Sequence, residues 1–508
     1  MSKLSIEDMA RFCKRKGIIY PNSEIYGGLA GFFDYGPYGV DIKNNIKQEW
    51  WKYHVTTRDD IVGIDGSIIT NPKVWEASGH VASFADIMIT CTKCKTKIRA
   101  DHFIEDTLKI PADGMKAEEI NTLIEKSNLQ CPKCKGPFQK VENFNLMFTT
   151  NIGPTSSPDS LAYLRPETAQ VIFANFKLIV ENARLKLPFG IAQIGKAFRN
   201  EISPRDFIFR TREFEQMEIE YFIHPEKQDD CPWIKSVLKQ KLLVYSAEMQ
   251  QKKQEPKVMT MDECLKKCII KTPWHAYFLA LEHQWFISLG ANKENFRIRQ
   301  HIDTEKSHYA LDTWDLEYNF PFGWKELQGI ANRTDYDLQQ HIKHSKQDLS
   351  LFDEESKKKI VPHVVCEPSM GVGRAFLVFL FDAYEDDKKR GNVVLKLHPK
   401  IAPIKIAILP LVNKLEKPSK LLFDQLKSFY PSIYDKSGSV GKRYARADEI
   451  GIPYCITVDF DTEKTKSVTI RDRNTTKQIR VKIADLEDTL FALLYQDLKF
   501  EKAGKSLK

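Results

Sequence analysis

The chain has 508 residues, 42% of them hydrophobic and 11% aromatic, which suits about three domains of roughly 100–200 residues and excludes a disordered chain. No apolar run approaches the ~20 residues needed to cross a bilayer, and the opening MSKLSIEDMARFCKRKG lacks the apolar middle of a secretory leader, so a soluble, cytoplasmic protein with no membrane partner is expected. Net charge is +8, and residues 401–508 hold 20 Lys+Arg against 14 Asp+Glu, a local surplus that suits a polyanion such as nucleic acid but also an ordinary solvated surface.

Gly36, Pro37 and Gly39 punctuate the entry to a helix over 40–53, where Val40, Ile42, Ile46 and Trp50 recur at helical spacing. A strand is expected over 61–69, stopped by Asn71-Pro72. Residues 88–145 form a lysine-rich insert with two C-x2-C knuckles, Cys91/Cys94 and Cys131/Cys134, 36 residues apart. Four thiolates can surround a structural Zn2+ and leave no open coordination position. The spacer exceeds the commonest ~15–20 residues, so a helix over 117–127 is expected to fill it. Four free thiols are the alternative.

A helix over 167–185 leads into two strands, 190–201 and 210–222, joined by a polar turn. Side chains alternate faces along a strand. Gln193, Gly195, Ala197, Arg199 and Glu201 therefore share one face, as do Arg210, Arg212, Phe214, Gln216, Glu218 and Glu220. Arginines suit phosphate oxygens, an aromatic ring can stack on a purine, and carboxylates can hold Mg2+ or an ammonium. A solvated sheet face is the plain alternative, although such faces are richer in Lys, Thr and Ser. Residues 225–300 read as a helical insertion, and 308–340 as strand, turn and helix start. Residues 361–390 run from a strand through Gly371 and Gly373 into an apolar helix, with Arg374 at the helix N-terminus, where the dipole favours phosphate. Beyond Pro399, short strands near 405–409, 433–434, 455–458, 468–471 and 478–483 alternate with helices near 419–430, 440–450 and 486–498, as in a small α/β domain.

These segments together resemble the three motifs of class II aminoacyl-tRNA synthetases. The 40–53 helix, the following strand and Pro72 resemble motif 1, the dimer-forming element. FRNE (198–201) with RTREF (210–214) resembles motif 2, and GVGR (371–374) motif 3. YLRPETAQ (163–170), FRNEISPR (198–205), REFEQMEIEYF (212–222) and EPSMGVGR (367–374) are similar to signatures of the glycyl enzymes of the homodimeric type. The resemblance spans almost the whole chain. It implies an α+β fold: a class II antiparallel-sheet catalytic core over 1–87 and 146–396, with 225–300 inserted within it. A zinc-binding insertion at 88–145 and a C-terminal anticodon-binding domain at 400–508 complete that division.

The resemblance also implies a homodimeric ligase that activates glycine with ATP and transfers it to the 3′ end of tRNA(Gly). Arg199 would bind the α-phosphate, Glu201 the adenine amino group, and Arg210 the γ-phosphate. Phe214 would stack under the adenine, with Arg374 over its other face and reaching the γ-phosphate. Asn200, Phe209, Leu327 and Gly371 would complete the ATP site, and Glu326 would help hold Mg2+. Glu167, Glu218, Glu367 and Ser369 would surround the glycine ammonium, beside Phe214 and Gln216. Arg333 would hold the glycine carboxylate, and Arg99 would close over the site. Arg471, Arg473, Lys477 and Arg480 are candidate tRNA contacts. Three rivals stand beside this reading: a prolyl or threonyl enzyme, a non-catalytic synthetase-like RNA binder, and a zinc-dependent nucleic-acid binder.

Overall fold

The structure is a computed structural model that describes residues 4–110, 112, 115–154, 160–303, 305 and 310–507. Helix α1 (Pro37–Trp51) begins with proline in its first turn and buries Ile42, Ile46 and Trp50 on one stripe. A wider turn over Lys52–Thr56 prolongs it and buries His54 and Val55. The strand expected over 61–69 is interrupted: β1 (Ile61–Gly63) is separated from a two-residue strand at Ile69–Thr70. Gly66 lies in the gap, where a Cβ would stand 2.1 Å from Val171 Cγ1. Asn71-Pro72 starts a new helix, Pro72–Ala77, with the Asn71 side chain accepting from the Lys73 amide.

Helix α2 (Ala169–Ala183) precedes the strand pair β2 (Phe189–Phe198) and β3 (Glu213–Ile223). Both strands are shorter at the turn than the alternation suggested, so Arg199, Glu201, Arg210 and Arg212 stand in the connecting loop. Next come β4 (Lys241–Tyr245), β5 (Lys257–Thr260), α3 (Pro273–Ser288) and β6 (Phe296–Gln300), followed by β7 (Asp312–Phe320), β8 (Gly323–Asn332) and α4 (Tyr336–Ser345), then β9 (His363–Gly371) and α5 (Val372–Ala383). One nine-stranded sheet has the order β5-β4-β6-β7-β8-β9-β3-β2-β1. It is antiparallel except at β4/β6 and β1/β2. The 225–300 stretch is therefore not a helical insertion, because three of its strands extend this sheet. The hidden signal was Lys241–Tyr245, whose Leu242 and Val244 alternate into the core. Helix α3 shows no amphipathic stripe because it is buried on nearly every side.

The 88–145 insert folds on a three-stranded sheet of Lys97–Arg99, Ala85–Thr90 and Glu142–Asn145. Its helix Ala117–Lys126 occupies the long spacer between the knuckles. Toward the C-terminus, β10 (Ile406–Pro410), α6 (Glu416–Leu426), β11 (Ser432–Tyr434), α7 (Val440–Glu449), β12 (Tyr454–Val458), β13 (Ser467–Asp472), β14 (Gln478–Lys482), α8 (Leu486–Tyr495) and β15 (Lys505–Leu507) follow. They make a separate six-stranded sheet, β11-β10-β12-β13-β14-β15. This sheet has its own core, centred on Ile408, Ile456, Ile470 and Leu490.

Three of the arginines proposed above for nucleic acid are occupied here. Arg471 forks onto Asp448 at 2.8 and 3.0 Å, and Arg480 pairs with Asp459 at 2.6 Å. Arg473 is 1% exposed and donates to the carbonyls of Gly451 and Leu397, each at 2.6 Å. Arg471 and Arg473 are thus structural, because a buried guanidinium must spend its donors internally. Lys477 is exposed and pairs with Glu501 at 3.0 Å.

Candidate active site

Strand pairing brings distant segments together. Gln216 and Glu218 on β3 lie opposite Gly371 and Ser369 on β9, while Gly329 and Ala331 on β8 lie opposite Ser369 and Glu367. Above this floor opens a cleft of about 630 Å³ lined by Arg199, Glu201, Phe209, Arg210, Phe214, Gln216, Glu326, Leu327, Ser369, Gly371 and Arg374. The three arginines singled out for phosphate therefore converge, although Arg199 and Arg374 are 175 positions apart in the chain.

Local contacts hold each group in place. Arg199 donates through Nε to the Pro166 carbonyl at 3.0 Å, and its guanidinium sits 5.4 Å from the centre of the Phe214 ring. Arg210 Nε lies 3.0 Å from Glu201 Oε2. Arg374 pairs with Glu326 Oε1 at 3.0 Å and lies 4.6 Å over Phe209. The Arg374 guanidinium beside Glu326 holds that carboxyl below the usual range. Gly373 permits this helix entry, since a Cβ would stand 2.8 Å from the Ile208 carbonyl oxygen. Arg212, which shares a face with these groups in the strand reading, is a brace: it donates to the carbonyls of Glu201 at 3.0 Å and Ala30 at 2.7 Å.

Behind Ser369 lies a buried acidic pocket. One oxygen from each of Glu218, Glu220 and Glu367 falls within a 4.8 Å cluster. Gln216 Nε2 donates to Ser369 Oγ at 3.3 Å, and the Thr168 hydroxyl donates to Glu218. Burial pushes Glu218 up, and its neighbour Glu167 adds to the rise. Burial likewise pushes Glu367 up to about 8, against the opposing pull of Arg333. Glu167 behaves differently: burial would raise it, but His80, Arg333 and Gln170 outweigh burial and hold it low.

Three expected roles change. Arg333 is 2% exposed, with its fork on Asp337 at 2.7 and 2.8 Å and its remaining arm on Glu367 at 2.7 Å. It is committed to orienting Glu367 rather than offered to a substrate carboxylate. Arg99 forks onto Asp101 at 2.7–2.9 Å and reaches Asp86 at 3.2 Å. It stays inside the insert and does not line the cleft. Asn200 also lies outside the lining; its backbone amide donates to the Leu146 carbonyl at 2.7 Å and ties the end of the insert to the loop. Sequence reasoning missed Thr168, His80 and Asp337. Only Asp337 stood close in sequence, four residues after Arg333, although Arg333 itself precedes the helix.

The four knuckle cysteines also meet. Cys91 and Cys134 sulfurs are 3.5 Å apart, and Cys94 and Cys131 sulfurs 3.6 Å. A tetrahedral Zn2+ with bonds of ~2.3 Å needs sulfurs roughly 3.8 Å apart, so the set fits. A Cβ on Gly136 would stand 3.2 and 3.3 Å from the Cys91 and Cys134 sulfurs, and glycine leaves that space open. Among the described residues no helix is long and apolar enough to cross a membrane.

The chain matches the tRNA synthetase class II core domain (G, H, P, S and T) over residues 148–383 and the anticodon binding domain over 405–493. It is 44% identical to the glycine–tRNA ligase of Caldanaerobacter subterraneus subsp. tengcongensis, covering 98% of this chain and 99% of that one. It is 46% identical to the glycine–tRNA ligase of Ruminiclostridium cellulolyticum, covering 95% and 97%. A crystal structure of prolyl-tRNA synthetase from Cryptosporidium parvum superposes with a TM-score of 0.56 at 14% identity, over 96% of this chain and 75% of that one, a likeness of fold.

Proposed function

The chain belongs to the glycine–tRNA ligase family, and from that premise we propose how its own residues divide the work. It is an aminoacyl-tRNA synthetase, with glycine, ATP and tRNA as its partners. The cationic cleft takes ATP: Arg199 faces the α-phosphate, where negative charge builds as the glycine carboxylate attacks phosphorus and pyrophosphate departs. Arg210 and Arg374 leave Glu201 and Glu326 to engage the outer phosphates. That frees Glu201 for the adenine amino group and Glu326 for Mg2+, a cation that would neutralise phosphate charge there. The terminal ribose hydroxyl of tRNA(Gly) then attacks the glycyl carbonyl of the adenylate, forming the ester as the anhydride bond breaks and AMP leaves. Rate comes from alignment and fixed charge.

The glycine ammonium enters the pocket of Glu167, Glu218 and Glu367, with Arg333 as the brace behind Glu367. The space left beside this ammonium site is taken as too small for a side chain, which is then rejected by collision. This is easier than rejecting a smaller substrate, where a missing methylene yields only ~1–3 kcal/mol. Cys91, Cys94, Cys131 and Cys134 hold a structural Zn2+, and α1 takes part in a homodimer working in the cytoplasm.

One observation carries this reading: Ser369 lines the cationic cleft while its neighbours Glu218 and Glu367 close the acidic pocket behind it. Pyrophosphate exchange measured with each amino acid in turn tests it. Glycine alone should support exchange, and activity with proline or threonine but not glycine would overturn the assignment.

A further inference from the structure

Glu220 lies at the back of the acidic pocket and is 0% exposed. Both its carboxylate oxygens lack a hydrogen-bond partner among the described residues. Its neighbours are better supplied. Glu367 has the Arg333 guanidinium at 2.7 Å. Glu218 accepts from the Thr168 hydroxyl. Glu167 accepts from Gln170 at 3.1 Å and lies 3.4 Å from His80 Nε2. Of these four carboxylates, Glu220 alone has no donor among the described residues, yet it points into the same 4.8 Å cluster as Glu218 and Glu367. The charged groups around it are Glu367 on β9, Glu218 on β3, Arg333 just after β8, and Asp337 at the start of α4. One guanidinium cannot neutralise that many carboxylates, and an unpaired buried carboxylate takes up a proton instead of staying charged.

We propose that Glu220 is a positioning residue that stands as the neutral acid and donates its single proton to a neighbouring carboxylate of the Glu218–Glu367 pair, holding the pair in place for the glycine ammonium. Burial, with Glu367 next, pushes Glu220 well above the usual carboxylate range, in keeping with this. The proton removes one negative charge and gives the pocket one further donor. An entering ammonium then favours the ionised forms of Glu218 and Glu367. This inference rests on the reading of the pocket as the ammonium site.

Steady-state pyrophosphate exchange with the full-length enzyme tests it through Glu220→Leu and Glu220→Gln, with Glu218→Gln and Glu367→Gln as references. Losing a hydrogen bond to a charged group should raise the glycine KM of Glu220→Leu about tenfold or more, with the KM for ATP unchanged and thermal stability kept or raised. Glu220→Gln, neutral and still a donor, should restore the glycine KM to within about threefold of wild type on the same basis. With glycine bound, Glu220→Gln should lose a buried-carboxyl carbonyl band that wild type shows in the infrared. A band that survives in Glu220→Gln overturns the proposal. So does a Glu220→Gln defect as large as that of Glu218→Gln, which would mark Glu220 as an ionised ligand. If neither Glu218→Gln nor Glu367→Gln moves the glycine KM, the pocket reading itself fails.

Discussion

Arg333 Nη1 stands 2.7 Å from Glu367 Oε1, with the other edge of the same guanidinium forked onto Asp337. This buried triad ties the helix α4 to the strand β9 that carries the acidic pocket. Removing the cation would leave two buried carboxylates unpaired, a change that typically costs ~3–5 kcal/mol. Arg333→Ala should therefore unfold at lower denaturant and bind glycine weakly. A variant with unchanged unfolding and a selective loss of glycine binding would return Arg333 to the substrate.

Arg199 is held over Phe214 and anchored by the Pro166 carbonyl. Its proposed task is met only as charge develops on the α-phosphate, so Arg199→Ala should lose ~10²–10³ in kcat with little change in unfolding. Glycine-dependent pyrophosphate exchange reads this out. Equal rates in wild type and variant would remove Arg199 from the mechanism.

If the four cysteines hold zinc as proposed, the insert depends on the metal. The purified chain is expected to carry about one zinc per molecule by elemental analysis. Because binding free energy at such sites is folding free energy, of order 10–16 kcal/mol, Cys131→Ser or a strong chelator should expose residues 88–145 to protease. A metal-free protein with a protease-resistant insert would refute the site.

Proton linkage gives the stability a definite sign with pH. Glu220 and Glu367 have folded-state values raised by burial, Glu367 to about 8. The native state therefore holds protons that the unfolded chain releases above about pH 4.3, and stability falls as pH rises through that window. Glu167 is depressed, so its contribution is present above the unfolded value and lost as pH falls through its folded value. Glu220→Gln should flatten the alkaline decline, and Glu167→Gln the acid one. Unfolding free energies measured by urea titration across pH 3–8, a range chosen to bracket ~4.3, would decide. An unaltered slope in Glu220→Gln would count against a buried proton on that residue.

Local order in the chain was enough to determine much of this protein. The stripe of Ile42, Ile46 and Trp50 specified a helix, the alternation in β2 and β3 specified paired strands, and two C-x2-C knuckles marked a four-sulfur cluster. Such features are periodic or closely spaced, and backbone geometry alone converts them into faces. Tertiary structure alone decided which polar groups remain free. Arg333, Arg99 and Arg473 look like ligands in one dimension. Arg333 meets Glu367, Arg99 meets Asp86, and Arg473 meets the Leu397 carbonyl only once separate segments are folded together. The three strands of 225–300 also join a sheet whose far edge, β1 and β2, is distant in sequence. Burial and pairing are set by the whole fold, and they determine whether an arginine faces a substrate or braces the protein.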